Sequence, residues 1–380
     1  SQVVRGTHLA TGDRYAVKIV DLESIAEDDE ALDALQVEIN VLRAARHPNV
    51  VSLHKVVNTP VATYVIMDLV AGGELFEEIV ARGTFAEPEA RMLLRQLLAA
   101  LAFCNEIGVV HRDLKPENIL LDRGEDGALH LKLIDFGYAA ILSPGERLTG
   151  LAGTPDYVAP EVLSWYEGAS AVELREYGPS CDMWSAGIIL YILLCGFPPF
   201  YADDEVELIE AVRRAQFEFT MPYWEHISYD AQALISACLS VDPADRPTPA
   251  QALKHSWFVL ADQRLTEREA AEEAIAAAQK EAERLAERAD GAERAAEAAK
   301  GEAGRAGTLA SKELSGVRAE LARAKADAAA AAKERAAQAA AFEAQLASAK
   351  AELVELRDAA SQGSKAAAGS EAAAAAAGSG

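Results

Sequence analysis

The sequence predicts an α+β protein with two unequal lobes: a small β-rich lobe with one helix, then a larger helical lobe, followed by a long alanine-rich tail. Strand-like alternation of apolar and polar residues is confined to residues 1–68. Helical periodicity dominates residues 72–260. Beyond residue 260 the composition changes, because the last 120 residues contain 47 alanines and no proline. We therefore place a domain boundary near residue 260.

The small lobe begins with a predicted β-hairpin, because two alternating segments flank a turn at Thr11-Gly12-Asp13. Between this hairpin and the two later strands, apolar residues recur at helical spacing from Asp29 to Ala45, which predicts one helix packed on the sheet. The predicted strands are 2–7, 15–20, 50–57 and 64–68.

The larger lobe contains mostly helical periodicity from Leu75 onwards. The longest apolar run, residues 186–200, contains two glycines and two prolines and is too short to cross a bilayer. We therefore expect no membrane span. The predicted helices are 88–107, 183–195, 205–215, 230–239 and 249–255.

The charge is strongly acidic, and it is concentrated in the first 260 residues. The whole chain has 36 basic and 60 acidic side chains, a net charge of −24, and residues 1–260 account for 19 and 39 of these, a net charge of −20. This balance argues against nucleic acid or an anionic membrane as a partner and favours a cationic one. The four cysteines lack metal-ligand spacing and predict reduced thiols in a cytoplasmic or nuclear protein.

The tail divides into a helix-forming segment, residues 261–360, and a segment predicted to be disordered, residues 361–380. Alanine, glutamate, lysine and arginine are strong helix formers. The apolar seam is thin, so a weak coiled coil that self-associates and a solvated single helix both remain open. The seam residues are Leu314, Val317, Leu321, Phe342, Leu346, Leu353 and Leu356.

Four ordered motifs indicate a family. His111-Arg112-Asp113-Leu114-Lys115-Pro116-Glu117-Asn118 is followed by Asp135-Phe136-Gly137, with Ala16-Val17-Lys18 upstream and Ala159-Pro160-Glu161 downstream. With these motifs at suitable spacing, residues 1–260 closely resemble a eukaryotic protein kinase domain. The resemblance implies a bilobal protein kinase-like fold that uses ATP and Mg²⁺.

The resemblance assigns roles to the residues that match. Lys18 would hold the α- and β-phosphates of ATP, and Glu38, on the predicted helix, would position Lys18 through an ion pair. Asp113 would orient the substrate hydroxyl and accept its proton, while Lys115 would stabilise the transferring phosphoryl group.

Two further matches concern the metal ion. Asn118 and Asp135 would bind Mg²⁺, because hard oxygen ligands suit a hard cation that bridges phosphates. Adenine would bind at the hinge through residues at Met67, Asp68 and Val70, with Glu74 also at the ATP site.

The motifs resemble those of serine/threonine kinases, and Gly72-Gly73-Glu74-Leu75-Phe76 and Gly196-Phe197-Pro198-Pro199-Phe200 are most similar to the calcium/calmodulin-dependent kinase (CAMK) group. The implied partners are protein substrates with an arginine three residues before the acceptor. The substrate-binding residues implied by the resemblance are Glu74, Glu117, Thr154 and Glu210.

The sequence also departs from the family pattern. The Gly-x-Gly-x-x-Gly loop that precedes Val3 in relatives is missing, which we interpret as an N-terminal truncation. Because the matching catalytic residues are present, the leading hypothesis is an active serine/threonine kinase. Because the loop is missing, the alternative is a pseudokinase or scaffold with impaired ATP binding.

Regulation departs from the group as well. The usual phosphoacceptor position holds Gly150, so Thr149 is the candidate phosphosite, with Ser143 or no phosphorylation as alternatives. Residues 162–181 predict an inserted loop. The tail lacks the basic, aromatic helix that binds calmodulin and the spacing of a calcium loop, so neither regulator is supported.

Overall fold

The computed structural model describes residues 1–124, 127–165, 175–202, 204–298, 311–330, 332–333 and 337. The chain divides into two compact units, Ser1–Ala261 and Asp262–Gly380. The first unit holds both predicted lobes. The second is the tail.

The small lobe is a four-stranded antiparallel sheet with one helix. The strands are β1 (Gln2–Thr7), β2 (Arg14–Asp21), β3 (Leu53–Asn58) and β4 (Ala62–Asp68), in the order β1-β2-β4-β3. Helix α1 (Asp29–Ala44) begins where the Asp28 carboxylate accepts a hydrogen bond from the Ala31 amide at 2.9 Å, which satisfies one N-terminal donor. Its buried face includes Ile39 and Leu42, the apolar positions of the predicted periodicity.

The larger lobe is helical and is organised around helix α4 (Ser180–Cys195), which is buried on all sides. Uniformly apolar helices of this kind belong in the core. The helix ends at Gly196, whose φ of 89° is readily adopted only by glycine. The helices of this lobe are α2 (Leu75–Arg82), α3 (Glu87–Glu106), α4 (Ser180–Cys195), α5 (Glu205–Arg214), α6 (Tyr229–Cys238), α7 (Pro249–Ala252) and the start of α8 (Ser256–Ala298).

Two short antiparallel strand pairs bring two polar loops together in this lobe. Strand β5 (Val109–Val110) pairs with β8 (Ala140–Ile141), and β6 (Ile119–Arg123) pairs with β7 (Leu129–Leu133). The loop between β5 and β6 therefore lies beside the loop between β7 and β8. These loops carry the two central motifs of the sequence.

Three differences between the structure and the predicted elements concern β3, α2 and α8. Strand β3 begins at Leu53 rather than Val50, because Val51 donates its amide to the carbonyl of Leu133 in the larger lobe at 3.0 Å. Helix α2 has no separate counterpart among the helices predicted from the sequence. Helix α8 continues without a break through the composition boundary near residue 260, because the alanine-rich sequence that follows also favours a helix.

The described part of the tail is a pair of antiparallel helices, the remainder of α8 and residues 311–330. Arg318 contacts Glu293 at 2.7 Å, and Arg288 contacts Glu320 at 3.4 Å. Val317 is buried in the tail, as are Leu285 and Ala289 of α8. The predicted seam residues from Phe342 onward and the segment 361–380 lie outside the described residues. None of the described helices combines the length and apolar character of a membrane span.

Candidate active site

The loop 111–118 is anchored from below by a buried carboxylate of α4. Asp182, fully enclosed in the larger lobe, accepts hydrogen bonds from the amides of His111 (2.8 Å) and Arg112 (2.9 Å). Burial raises the pKa of Asp182, and these donors counteract the rise. Arg112 takes a φ of 66°, a left-handed conformation rare for a side chain of this size. Such strain persists only where its surroundings enforce it.

Asp113 lies at the centre of a network of side chains that includes four of the predicted site residues. The Asn118 amide donates to the Asp113 carboxylate at 3.0 Å, and the Thr154 hydroxyl donates to the other oxygen at 2.8 Å. The Lys115 ammonium contacts Asp113 at 3.1 Å and Thr154 at 2.7 Å. The structure thus brings Asp113, Lys115 and Asn118 together with Thr154, a predicted substrate-binding residue whose hydroxyl contacts both the carboxylate and the lysine.

Lys18 of β2 and Glu38 of α1 form a close ion pair. The ammonium donates to both carboxylate oxygens, at 2.6 and 2.8 Å, and also lies 3.4 Å from Asp135. Burial lowers the pKa of Lys18, but the two carboxylates outweigh it and the pKa is raised from 10.5. Burial raises the pKa of Glu38 more than Lys18 lowers it. We assign a charged pair because both carboxylate oxygens contact the ammonium.

Asp135 is held next to the Asp113 network by the backbone. The amide of the preceding residue, Ile134, donates to the carbonyl of Asn118 at 2.9 Å. The ring of the following residue, Phe136, is fully buried and packs against the His111 ring at 4.9 Å between centroids. Asp135 itself has a φ of 57°, and its side chain is about half exposed. Its carboxylate is therefore open to a ligand in the space beside Lys18.

Oxygen ligands for a divalent cation are present, but they come from two residues only. No described group of three or more His, Cys, Asp or Glu side chains is placed to hold a metal ion. Asn118 and Asp135 supply amide and carboxylate oxygens on adjacent loops. This donor set fits Mg²⁺, which is usually bound through one or two carboxylates together with substrate phosphates.

The predicted hinge residues follow β4, and their contacts differ. The Asp68 amide donates to the carbonyl of Ser52 at 3.0 Å, and its carboxylate contacts His54 at 2.6 Å, so only its carbonyl oxygen could pair with adenine. Met67 lies on β4 opposite Ala16 of β2. Val70 is half-buried in the segment that links the two lobes.

The predicted substrate-binding residues fall into different environments. Glu74 precedes α2 and pairs through its backbone with Leu120 of β6. One carboxylate oxygen of Glu117 is buried without a described hydrogen-bond partner. Glu210 contacts Arg213 at 3.4 Å and Arg214 at 3.3 Å, so its charge is already compensated on its own helix.

A contact missed by sequence reasoning holds the segment that follows Asp135. The Arg112 guanidinium donates to the carbonyl of Tyr138 at 2.5 Å and to the hydroxyl of Tyr177 at 3.4 Å. That hydroxyl in turn donates to the carbonyl of Gly150 at 3.0 Å, and the backbone of Tyr177 pairs with Leu148. Arg112 and Tyr177 have no distinctive spacing, so this contact could not be predicted from the sequence.

The segment beyond this contact is anchored by a buried ion pair. Glu161 binds Arg246 through two hydrogen bonds of 2.7 Å each, with both side chains almost fully enclosed. The predicted insertion at residues 162–181 follows. Its stem is closed by a hydrogen bond from the Trp165 indole to the carbonyl of Arg175 at 2.7 Å, and residues 166–174 lie outside the described residues.

Comparisons with known proteins give a consistent assignment. The protein kinase domain model matches residues 1–258. The chain is 41% identical over 253 residues to the probable serine/threonine-protein kinase fhkC of Dictyostelium discoideum, and the match covers 67% of this chain and 41% of that protein. It is 42% identical over 254 residues to the serine/threonine-protein kinase DCLK3 of Mus musculus, which covers 66% of this chain and 30% of that protein.

A third relative is matched over most of its length. Myosin light chain kinase A of Dictyostelium discoideum is 38% identical over 258 residues, which covers 68% of this chain and 83% of that protein. By contrast, the match spans less than half the length of fhkC and of DCLK3. Each of the three matches is about as long as the first unit, residues 1–261.

Proposed function

The chain belongs to the protein kinase family, as a serine/threonine kinase of the CAMK type, and we propose that it transfers the γ-phosphoryl group of ATP to serine or threonine hydroxyls. The observation that carries the proposal is the assembled ion pair of Lys18 with Glu38 at 2.6 Å, next to the Asp113 network. Phosphoryl transfer requires positioning and charge stabilisation rather than covalent chemistry by the protein. These side chains supply both.

The reaction assigns one role to each group. The substrate hydroxyl oxygen forms a bond to the γ-phosphorus, the bond from that phosphorus to the β,γ-bridging oxygen breaks, and ADP leaves. Asp113 accepts the hydroxyl proton, and Lys115 stabilises the charge on the transferring group. Thr154 keeps Asp113 and Lys115 in register, because its hydroxyl contacts both. Lys18, oriented by Glu38, binds the α- and β-phosphates.

Asn118 and Asp135 would hold Mg²⁺ against the nucleotide phosphates. The bound ion would neutralise the phosphate charge during transfer. Asp135 is suited to this role because its carboxylate is about half exposed and only 3.4 Å from the Lys18 ammonium.

We further propose that the acceptor lies in a basic peptide. Support comes from the net charge of −20 on residues 1–260 and from the unpartnered carboxylate oxygen of Glu117. Glu74 is the second candidate contact for an arginine. Glu210 contributes less, because two arginines already compensate its charge.

The test is a phosphotransfer assay on a serine peptide with arginine three residues before the acceptor, compared with the same peptide carrying glutamine there. Asp135→Asn is expected to lower the rate about 10²- to 10³-fold. Asp122→Asn, an exposed aspartate on β6, is the matched control and should leave the rate unchanged. Nucleotide binding without transfer above the Asp135→Asn background would instead favour the scaffold alternative. Equal rates on the two peptides would remove the basic-substrate proposal alone.

Thr149 is the proposed phosphorylation site of the segment that Arg112 and Tyr177 hold. It is exposed, and both of its neighbours are bonded to Tyr177. A phosphate on this segment would be expected to pair with Arg112. Because Arg112 already has two oxygen partners, we expect activity without a phosphate at this site. Thr149→Ala should retain most of the activity of phosphatase-treated protein. A complete loss in this variant would show that the phosphate is required.

A further inference from the structure

A cavity of about 690 Å³ lies where the small lobe adjoins β7 of the larger lobe. It is bounded by the end of α1, the segment 45–52, strand β3 and Lys132 of β7. None of the residues proposed above to bind ATP, metal or substrate lines it. Its volume is in the range of functional ligand pockets.

The lining of the cavity is basic. Among the twelve described residues that line it, none is aspartate or glutamate, and half are basic. Three of these, Arg43, Arg46 and Lys55, are exposed and form no ion pair with any described residue. The basic lining residues are Arg43, Arg46, His47, His54, Lys55 and Lys132.

One carboxylate contacts this group of basic residues from outside the cavity. Asp68 lies 2.6 Å from His54 and 3.6 Å from Lys132. With both histidines neutral, the four lysines and arginines minus Asp68 leave a local charge of +3. Burial and the charge of Lys132 together lower the pKa of His47, which favours its neutral form. The cavity is therefore a positively charged site on a unit whose net charge is −20.

The cavity also lies along an unpaired sheet edge. Strand β3 is the last strand in the order β1-β2-β4-β3, so its outer backbone groups have no strand partner among the described residues. Edge strands accept extended peptides by strand addition, in which main-chain hydrogen bonds supply affinity and side-chain pockets supply specificity. Leu53 and Val56 provide apolar lining at this edge.

We propose that this cavity binds an extended acidic peptide segment of a partner protein, with carboxylates on the four lysines and arginines of the lining and the peptide backbone along β3. A small anion would use the charge but not the strand edge or the apolar lining. A nucleic acid would be repelled by the remaining acidic surface. The site is separate from the phosphotransfer site and does not depend on the proposed function.

The probe is a fluorescently labelled ten-residue peptide in which glutamates alternate with threonine and leucine, and its binding to the full chain is measured by anisotropy. The control peptide has glutamine at every glutamate. Arg46→Glu combined with Lys55→Glu is expected to raise the dissociation constant about tenfold or more. Arg5→Glu combined with Arg14→Glu, two exposed arginines at the other end of the sheet, is the matched control and should change it less than about twofold.

Hydrogen exchange locates the bound peptide independently of charge. Residues 53–58 are expected to gain protection when the peptide is added. Equal affinity for the glutamine peptide, equal weakening by both double variants, or protection elsewhere in the chain would overturn the proposal. Displacement of the peptide by inorganic tripolyphosphate at matched charge concentration would also overturn it, in favour of a small-anion site.

Discussion

Thr154 shows how a single hydroxyl can organise the chemistry of this site. It donates to the Asp113 carboxylate at 2.8 Å and accepts from the Lys115 ammonium at 2.7 Å, so it holds both members of an ion pair that also meet directly at 3.1 Å. The family resemblance assigned Thr154 to substrate binding. The geometry supports a positioning role as well, because both of its partners act on the reacting groups.

Replacing Thr154 with valine should therefore lower kcat more than it raises KM. A hydrogen bond to a charged group contributes about 1.5–3 kcal/mol, which corresponds to a fall in kcat of about 10- to 100-fold. Thr154→Ser keeps the hydroxyl and should restore most of the rate. Steady-state kinetics on the basic peptide measure both variants, and a loss of equal size in the serine variant would contradict this role.

The buried thiols predict an alkaline loss of stability. Burial raises the pKa of Cys104, of Cys195 and of Cys238 from 9.0 to about 12. The folded state therefore keeps protons that the unfolded state releases above pH 9. The thiol contribution is complete below pH 9 and is lost as the pH rises from 9 towards 12, by about 1 kcal/mol per pH unit for each thiol.

Urea unfolding at pH 8 and pH 10 under reducing conditions measures this loss. Burial raises the pKa of Cys181 as well, so Cys104→Ala removes one of four thiol contributions, and the difference between the two pH values should become smaller in that variant. The buried tyrosines Tyr157 and Tyr191, whose pKa values burial also raises, add a further loss only from about pH 10. A free energy of unfolding that does not change between pH 8 and pH 10 would contradict the prediction.

At the scale of elements, the position of a helix decides what the same residue contributes. Two of the glycines inside the described helices are Gly187 in α4 and Gly291 in α8. A Cβ at Gly187 would lie 2.7 Å from the Cβ of Cys238 on α6, whereas a Cβ at Gly291 would meet nothing within 4 Å. Glycine is thus required in α4 by close packing of two helices, and Gly291 has no such contact.

Gly187→Ala and Gly291→Ala should therefore have opposite effects. Both gain helix propensity, by about 1 kcal/mol. In α4 the added methyl forces α4 and α6 apart, at a cost of about 1–3 kcal/mol or more. Thermal unfolding of the first unit should shift downward for Gly187→Ala alone, while circular dichroism should show equal or greater helicity for Gly291→Ala. A stabilised Gly187→Ala variant would contradict the packing.

At the scale of the whole molecule, α8 belongs to both units. Its first turn contributes Trp257 and Phe258 to the core of the first unit, and the Trp257 indole donates to Glu87 of α3 at 2.7 Å. The compositional boundary near residue 260 thus falls inside a continuous helix. The unit boundary after Ala261 leaves both aromatic residues with the first unit.

Two truncations separate these contributions. A fragment of residues 1–261 should retain the phosphotransfer rate and the unfolding midpoint of the full chain, because its core is complete. A fragment of residues 1–254 loses Trp257 and Phe258 and should be destabilised by several kcal/mol, since removing a buried aromatic side chain costs about 3–5 kcal/mol. Thermal unfolding of both fragments decides this, and equal midpoints would contradict it.

Self-association through the tail stays a prediction, and the same fragments test it. The described tail helices use Leu285, Ala289 and Val317 to pack against each other within one chain. The apolar seam left for a second chain is therefore thin, and any dimer should be weak. Sedimentation of the full chain should show a concentration dependence that the 1–261 fragment lacks. Identical behaviour of the two would exclude the tail as an association element.

The family, the two lobes and the identity of the charged groups could all be predicted from the sequence. The motifs lie in short contiguous segments, and phosphate chemistry dictates their residue types. Local periodicity was also sufficient for β1, which the structure places at the predicted residues Gln2–Thr7, and for α1, whose apolar face was read directly. Where an element is set by distant contacts, as at Val50–Ser52, the prediction was wrong by three residues.

The tertiary structure alone decided how these groups meet. The contact of Lys18 with Glu38 spans 20 residues, that of Lys115 with Thr154 spans 39, and that of Arg112 with Tyr177 spans 65. The basic cavity joins residues from α1, β3 and β7. Pattern within a segment specifies which side chains a segment presents. The distance between two segments follows only from how the whole core packs, because that packing fixes the helices and strands that carry them.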